Sequence, residues 1–334
     1  MKYFLGIDQG GTKTDAIIFD CAGRVLGTGY DHGLATSYFK DDEGVYIDRI
    51  KSASKKACSM AGIALSDVSA VCGGLNGADW DHEIPILTDV LRQALGIYDA
   101  TVLNDCIIAM RGGNVDISPD CAVICAGSGL NAAVRRSDGK EILYGYYIDD
   151  SHQGAYALGT QALKKVMDSH IGVCGETALT ELVLGFTGFD DPEHLMIEYT
   201  TMNYQLENKD LAPLLTKAYA QGDKESVNIV NEFADGVSRY ITVGIERLGL
   251  SGRPLDIVFS GSVFKQDGTS VAHRIFEIIQ EYEPNARMID ARYEPVCGAA
   301  LTLLDREYNT ALPAEVTAAF EKSAQEHGLL RKLS

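Results

Sequence analysis

The sequence predicts an α/β protein of two domains, each with a mixed β-sheet covered by helices. The chain has 334 residues, which is the length of two ordinary domains. A strand–turn–strand–turn–strand pattern occurs twice, in residues 5–26 and 121–143. Strand-like apolar runs alternate with segments of helical periodicity after the first copy, and this alternation is typical of a sheet covered by helices.

The two copies of the strand pattern align without a gap. Each contains a turn rich in glycine and hydroxyl residues, followed by a Gly-centred turn. Backbone amides in such turns form concave nests that bind phosphate oxygens. We therefore expect two units that face each other across a cleft and clamp the phosphates of a nucleotide. The aligned pairs are Gly11 with Gly127, Thr12 with Ser128, Asp15 with Asn131, Ala16 with Ala132, Gly23 with Gly139 and Arg24 with Lys140.

The remaining elements follow from periodicity and turn residues. In the first half we predict helices at 43–61, 82–95 and 105–111, and strands at 68–75 and 101–104. Gly112-Gly113-Asn114 is typical of a linker, so residues 1–114 are expected to form the first domain.

Residues 115–312 are expected to form the second domain, with a helical insertion after the repeated strand pattern. A last helix is predicted at 313–327, and periodicity leaves open whether it returns to the first domain. The other predicted helices are 153–169, 177–184, 192–200, 210–221, 224–249, 271–282 and one from residue 295, and the strands are 254–260 and 286–289.

Composition excludes several classes of function. The net charge of −18 argues against nucleic acid or an anionic membrane as a partner, because both require a basic face. No run approaches the ~20 apolar residues of a membrane span, and no signal peptide is expected. The eight cysteines are scattered without a Cys-x-x-Cys pair, so we expect reduced, structural thiols in a cytoplasmic protein.

The first candidate phosphate site is the turn 10–14. It leads into a strand instead of a helix, so neither a P-loop nor a Rossmann fingerprint fits. Its amides and hydroxyls suit the β- and γ-phosphates of ATP, and Asp8 is placed beside it to hold a hydrated Mg²⁺. An ordinary hairpin with a solvated Asp is the alternative, and the second copy of the turn favours phosphate binding. The residues concerned are Gly10, Gly11, Thr12, Lys13 and Thr14.

The second candidate phosphate site is the turn Gly127-Ser128-Gly129. In the ungapped alignment Ile124 occupies the position of Asp8, so the duplication is chemically asymmetric. We expect the first turn to carry the acid and the metal, and the second to contribute only amides and a hydroxyl.

Two further candidates follow predicted strands. Asp105 opens a helix, where it fits an N-cap and equally a general base that accepts the proton of an attacking substrate hydroxyl. Gly261 and Ser262 follow the strand 254–260 and offer a flat backbone to an adenine or ribose. Turns with glycine after a strand are common, so this pattern taken alone is a weak indication of a nucleotide site.

With these motifs the chain resembles the actin/Hsp70/sugar-kinase ATPase superfamily, whose duplicated actin/hexokinase-like (ribonuclease H-like) domains close over ATP. Within it, the chain is most similar to the BadF/BcrA-type ATPases, a group that includes the eukaryotic-type N-acetylglucosamine kinases. The resemblance covers nearly the whole chain. The matching motifs are the first phosphate motif at 8–14, the second at 127–131, a catalytic Asp at Asp105, an adenosine motif at 260–264 and a closing Gly-Ala-Ala at 298–300.

The resemblance also implies an acceptor pocket. A sugar-binding segment falls on residues 33–39, with Ser37 where the family has Asn, and Asn131 keeps the Asn of the second motif. A Gly-Asp-Glu-Gly motif falls on 149–154, where Asp150 is the best match for its Asp and Ser151 or His152 replaces its Glu. We expect Asn76, Gly77 and Asn104 to contact the acceptor as well. His152 is expected to be a hydrogen-bonding residue, with a catalytic base as the alternative. Trp80 is expected to be a core residue, with stacking on a sugar face as the alternative.

These observations predict an ATP- and Mg²⁺-dependent kinase of an amino sugar, with Asp105 as general base. N-acetylglucosamine is the expected acceptor, or a relative such as N-acetylmuramate or glucosamine, and we expect a homodimer. The alternative is an ATPase that activates a partner reductase or dehydratase through an iron–sulfur cluster shared between subunits, which the cysteine spacing does not favour. A sugar-sensing repressor requires a DNA-binding extension and is set aside.

Overall fold

A computed structural model describes residues 2–33, 37–265, 269–309 and 311–331. The chain divides into two compact units, Met1–Ser118 with Ile289–Lys332, and Pro119–Met288. This division differs from the expected one, because residues 289–312 belong with the first unit. The helix that they form packs on a strand and a helix of that unit, so contacts distant in sequence determine its place.

The first unit contains a five-stranded mixed sheet with the order β3-β2-β1-β4-β5. The strands β1, β2 and β3 are antiparallel, whereas β4 and β5 run parallel to β1. The chain order of the elements is β1 (Tyr3–Gln9), β2 (Lys13–Asp20), β3 (Val25–His32), α1 (Glu43–Ala61), β4 (Val68–Leu75), α2 (Glu83–Leu95), β5 (Ala100–Asn104) and α3 (Asp105–Arg111).

The second unit repeats this sheet, with the order β10-β9-β6-β7-β8. Two helices, α10 and α11, then complete the first unit. The elements are β6 (Cys121–Ala126), β7 (Leu130–Arg135), β8 (Glu141–Leu143), α4 (Gly154–His170), α5 (Leu179–Thr187), α6 (Pro192–Thr200), α7 (Ala212–Ala220), α8 (Lys224–Arg247), β9 (Leu255–Ser260), α9 (Thr269–Tyr282), β10 (Ala286–Asp290), α10 (Val296–Tyr308) and α11 (Ala314–Glu326).

Both faces of the first sheet are buried, which explains the continuous apolar run of β1. Leu5 and Ile7 face the layer of α1 and α2, whereas Phe4 faces the layer of α10 and α11. The parallel strands of such a sheet read as unbroken apolar segments because helices cover them on both sides. The polar residues at the carboxyl ends of β1, β4 and β5 consequently lie at one edge of the sheet, since these three strands run in the same direction.

The ungapped alignment of the two strand patterns is wrong by one residue in the turn. Asp8 pairs with Asp15 in the first hairpin, whereas Cys125 pairs with Asn131 in the second. Four residues lie between the last paired positions of the first hairpin, Gln9 and Thr14, but only three lie between Ala126 and Leu130 in the second. One residue is therefore missing from the second turn. Cys125, and not Ile124, is therefore the counterpart of Asp8. The chemical asymmetry remains, because a thiol stands where the first copy has a carboxylate.

No helix in the described ranges combines the length and apolar character needed to cross a bilayer. All eight cysteines are free thiols, and five of them are buried. Buried thiols of this kind pack as small apolar side chains.

Candidate active site

Three carbonyl groups of the first turn accept hydrogen bonds from within their own unit. Gly11 O accepts a hydrogen bond from Arg49 Nη1 at 3.2 Å, Thr12 O accepts one from Gly33 N at 3.1 Å, and Lys13 O accepts one from Gly10 N at 3.0 Å. The amides of Gly11 and Thr12 donate to no acceptor within the described residues, and both residues are exposed. Amides that are left free in this way are typical of anion-binding turns, so the geometry is compatible with the predicted phosphate site.

Asp8 lies at the carboxyl end of β1 beside this turn and is 5% exposed. Burial raises the pKa of its carboxyl group to about 7; Lys13 opposes this shift and Asp15 adds to it. No hydrogen bond to the Asp8 carboxylate is present in the described part of the chain. A buried carboxylate without donors fits a hard cation such as Mg²⁺, which keeps most of its waters and takes one or two protein carboxylates. The described residues contain no cluster of three or more metal-ligating side chains.

The second turn has the same arrangement of carbonyls. Gly127 O accepts from Ala155 N at 2.9 Å, and Ser128 O accepts from Tyr156 N at 3.1 Å, so the first amides of α4 hold this turn. Gly129 O accepts from Gly127 N at 2.9 Å. The amides of Ser128 and Gly129 have no acceptor among the residues described here, and both residues are exposed. The second unit therefore has a turn with the same free amides as the first.

Gly261 and Ser262 lie next to the second turn, because β9 pairs with β6 through Ser260 and Cys125. Gly261 has φ 103°, and a Cβ at this position would lie 2.1 Å from the carbonyl oxygen of Ala126. Only glycine fits so close to the neighbouring strand. The chain consequently presents bare backbone here, as expected of an adenosine-binding segment.

Asp105 is the first residue of α3, and the N-cap is Asn104. Asn104 Oδ1 accepts from Cys106 N at 2.9 Å, while Asp105 Oδ1 accepts from the same amide at 2.8 Å. Asn104 and not Asp105 is therefore the N-cap, although Asp105 also accepts from this first-turn amide. Burial raises the pKa of the Asp105 carboxyl to about 6, and the negative charge of Asp79 is the second cause of this increase. This value suits a base that is ionised at neutral pH and binds a proton readily.

Three predicted acceptor residues of the first unit lie near Asp105. Leu75 pairs with Asn104 across β4 and β5, so the turn Asn76-Gly77 follows directly beside the start of α3. A Cβ at Gly77 would lie 3.5 Å from Ser37 Oγ, which brings the segments around Ser37 and Gly77 together. Residues 34–36 of the predicted sugar-binding segment lie outside the described residues. The expectation that Trp80 is a core residue is wrong, because its side chain is 37% exposed. Trp80 lies in the surface turn between β4 and α2.

The predicted acceptor residues of the second unit line the start of α4. Asn131 Oδ1 accepts from Gly145 N at 2.9 Å and so holds the segment after β8. Asp149 caps the helical turn 150–152, whereas Asp150 is exposed. The ring of His152 packs near Phe233 and fills the space above Gly236, where a Cβ would lie 1.7 Å from Nε2.

Sequence reasoning missed three residues that support these sites. Arg49 is buried within the apolar stripe of α1 and holds the first turn; a cation inside an apolar stripe was the available signal. Gln153 Oε1 accepts from Leu130 N at 3.1 Å and fixes the second turn. Asp79 Oδ1 accepts from Asn104 Nδ2 at 2.9 Å. Nothing in the local sequence distinguishes Gln153 or Asp79 from solvated loop residues.

Comparison with known proteins agrees with this geometry. The family model of the BadF/BadG/BcrA/BcrD ATPases matches residues 5–302. The chain belongs to the BadF/BadG/BcrA/BcrD ATPase family. The predicted family and fold class are thereby confirmed, and the motifs quoted above all lie within the matched range.

Two curated relatives and one solved structure illustrate the similarity. The N-acetyl-D-glucosamine kinase of Dictyostelium discoideum is 24% identical, covering 91% of this chain and 98% of the relative. The N-acetylmuramic acid/N-acetylglucosamine kinase of Clostridium acetobutylicum is 25% identical, covering 79% of this chain and 86% of the relative. The ROK family glucokinase of Streptomyces griseus, solved with glucose and AMPPNP, has a TM-score of 0.59 and 20% identity over 90% of this chain and 97% of its own, and shows the fold alone.

Proposed function

We propose that this protein transfers the γ-phosphoryl group of ATP to a hydroxyl of an N-acetylated amino sugar. The acceptor named for both curated relatives is N-acetylglucosamine, and N-acetylmuramic acid is named for one of them. The observation that carries the proposal is the pairing, in one unit, of an anion-binding turn with the half-buried carboxylate of Asp105. Phosphoryl transfer needs these two elements, a cradle for the donor and a base for the acceptor.

The donor side consists of backbone groups. The free amides of the two turns bind the phosphate oxygens of ATP. Three carbonyls in each turn are hydrogen-bonded inside the protein, which directs their dipoles away from the negative charge. The bare backbone at Gly261 and Ser262 accommodates the adenosine. Asp8 would hold Mg²⁺, which would supply neutralisation of the phosphate charge.

The acceptor side is organised around Asp105. Its ionised carboxylate accepts the proton of the sugar hydroxyl as that oxygen attacks phosphorus, and the hydrogen bond from Cys106 N fixes its orientation. The proposed neighbours of the sugar are Ser37, Asn76, Gly77, Asn104, Asn131 and Asp150. A dimer is also proposed, and sedimentation velocity tests it.

The test is ADP release from Mg-ATP in the presence of a panel of hexoses, amino sugars and N-acetylated amino sugars. We expect stimulation by N-acetylglucosamine or N-acetylmuramate. Asp105→Asn should lower kcat by about 10²–10⁴ without changing the affinity for ADP, since a base contributes that much to the rate. Asp89→Asn, in an exposed carboxylate that pairs with Arg92 at 3.0 Å on α2, is the matched control and should retain full activity.

The same assay tests the alternative hypothesis, an ATPase that activates a partner reductase or dehydratase. Steady hydrolysis that no sugar stimulates, together with iron in the purified protein, would contradict the kinase. A colourless protein whose ATP turnover depends on one sugar would support it. The names of the two curated relatives favour the kinase.

A further inference from the structure

Asp79 is joined to the start of α3 through Asn104. Asn104 Nδ2 donates to Asp79 Oδ1 at 2.9 Å and to Ala78 O at 3.3 Å, while Asn104 Oδ1 accepts from Cys106 N at 2.9 Å. The Asn104 side chain thus bridges the turn 76–79 and the first residues of α3. These hydrogen bonds lie within the protein, so the side chain acts as a brace.

Asp79 is itself fixed from its other side. Glu83 Oε2 accepts from Asp79 N and from Trp80 N, both at 2.9 Å, and so secures the backbone of this turn to α2. Because the backbone is held, the position of the Asp79 carboxylate is set by the fold. That carboxylate orients the side chain of Asn104, whose Oδ1 accepts from Cys106 N, the same amide that donates to Asp105.

The surroundings of these two carboxylates are dominated by negative charge. Asp105 is influenced by Asp79 from the turn and by Asp8 from β1, and the buried phenol of Tyr46 approaches from α1. Around Asp79, burial and Glu83 raise the pKa of the carboxyl, whereas its bond to Asn104 and the charge of Lys40 lower it.

We propose that Asp79 is a positioning residue for Asp105, which it orients through Asn104. This inference rests on the proposed function, in which Asp105 is the base. The negative charge of Asp79 also disfavours the ionised form of Asp105, so Asp79 acts on the acid limb of the rate profile. A residue that only stabilised the fold would leave that limb in place.

The experiment compares the pH dependence of kcat and kcat/KM for the full chain and its Asp79→Asn and Asp79→Ala variants, with N-acetylglucosamine as acceptor. Asp79→Asn keeps an oxygen for Asn104 and removes the charge, so the acid limb should move to lower pH by about half a unit or more. Asp79→Ala removes the brace as well, so kcat should fall about 10-fold or more while the KM for ATP is unchanged. Asp81→Asn, an exposed carboxylate in the same segment, should behave as wild type.

Carbon-13 NMR titration of the Asp105 carboxyl gives a readout that does not depend on turnover. Its apparent pKa should fall in Asp79→Asn and stay constant in Asp81→Asn. An unmoved titration, or a higher sugar KM with an unmoved acid limb, overturns the inference; the latter would make Asp79 a direct sugar ligand. If Asp79→Ala does not fold, Asp79→Asn decides. Full activity of Asp105→Asn would instead remove the proposed function, and the inference with it.

Discussion

Replacing Asp8 by Asn should make the metal-free protein more stable while abolishing its catalytic use of Mg-ATP. Asp8 is 5% exposed and has no hydrogen-bond donor among the described residues. Ionisation of Asp8 therefore destabilises the folded protein until a cation binds. An amide at this position carries no charge, so the Asp8→Asn variant avoids that cost.

The size of the effect follows from the pKa. Burial raises the pKa of Asp8 from 3.8 to about 7, and this difference corresponds to about 4 kcal/mol of stability at 1.36 kcal/mol for each pH unit. Below pH 3.8 the group is neutral in both folded and unfolded chains, so it costs nothing. As pH rises, the unfolded chain ionises first, and the penalty grows until the folded group also ionises near pH 7. Above that pH the penalty is constant.

Urea unfolding in EDTA at pH 4, 6 and 8 measures this directly. The Asp8→Asn variant should exceed wild type by roughly 2–4 kcal/mol at pH 8 and by little at pH 4. Adding Mg²⁺ and ADP should stabilise wild type much more than the variant. Asp20 is a matched control: it is fully buried, but it accepts from Ala22 N and pairs with Arg24 at 2.7 Å, so Asp20→Asn should destabilise the protein at pH 8.

An Asp8→Asn variant that is no more stable than wild type at pH 8 would refute this reasoning. It would mean that the buried carboxylate is already compensated within the protein. Equal stabilisation of both proteins by Mg²⁺ and ADP would separately remove Asp8 from the metal site.

Three further outcomes are expected. The kcat of the wild-type enzyme should fall as pH drops through about 6, because protonated Asp105 cannot accept the sugar proton; a rate profile to pH 5 checks this. Gly154→Ala should raise the KM for ATP about 10-fold, since Gly154 has φ 49° and its Cβ would lie 2.2 Å from Gly129 O in the second turn. Gly298→Ala should lower stability by about 1–3 kcal/mol in urea unfolding, because its Cβ would lie 1.7 Å from Ile108 O and force α10 away from α3.

Two glycines in open positions are controls for these substitutions. Gly172 has φ 76° with nothing within 4 Å of an added Cβ, so Gly172→Ala should cost about 1 kcal/mol without changing the KM for ATP. Gly185 lies within α5 with equally open space, and Gly185→Ala should stabilise the protein by about 1 kcal/mol. An unchanged KM in Gly154→Ala, or a Gly298→Ala variant as stable as Gly185→Ala, would contradict the packing argument.

Strong local patterns made most of the fold predictable. The helix Asp105–Arg111 and the strand Val68–Leu75 have the predicted bounds, because their ends are marked by capping or turn residues as well as by periodicity. The helix predicted at 210–221 instead begins with a short 3₁₀ turn at Asn208–Leu211, which apolar spacing does not reveal. The duplicated strands and the family were likewise evident from the sequence.

Features that depend on packing between distant segments were not predictable. Residues 289–312 lie with the first unit because α10 packs on β1 and α3. The missing residue in the second turn became visible only through the pairing of Cys125 with Asn131. The supporting role of Arg49 depends on a contact between α1 and a turn far from it in sequence. Single-sequence patterns describe faces and ends of elements and do not identify such partners.

The grip of α4 on the second turn has a consequence for how this protein could change its acceptor. The segment 149–153, where the chain departs most from the family motif, runs directly into Gly154 and the amides that hold Gly127 and Ser128. A change in this segment therefore also shifts the backbone that holds the second turn. Under the proposed function, a substitution at Gln153 or Gly154 that altered the choice of sugar would alter the binding of ATP as well.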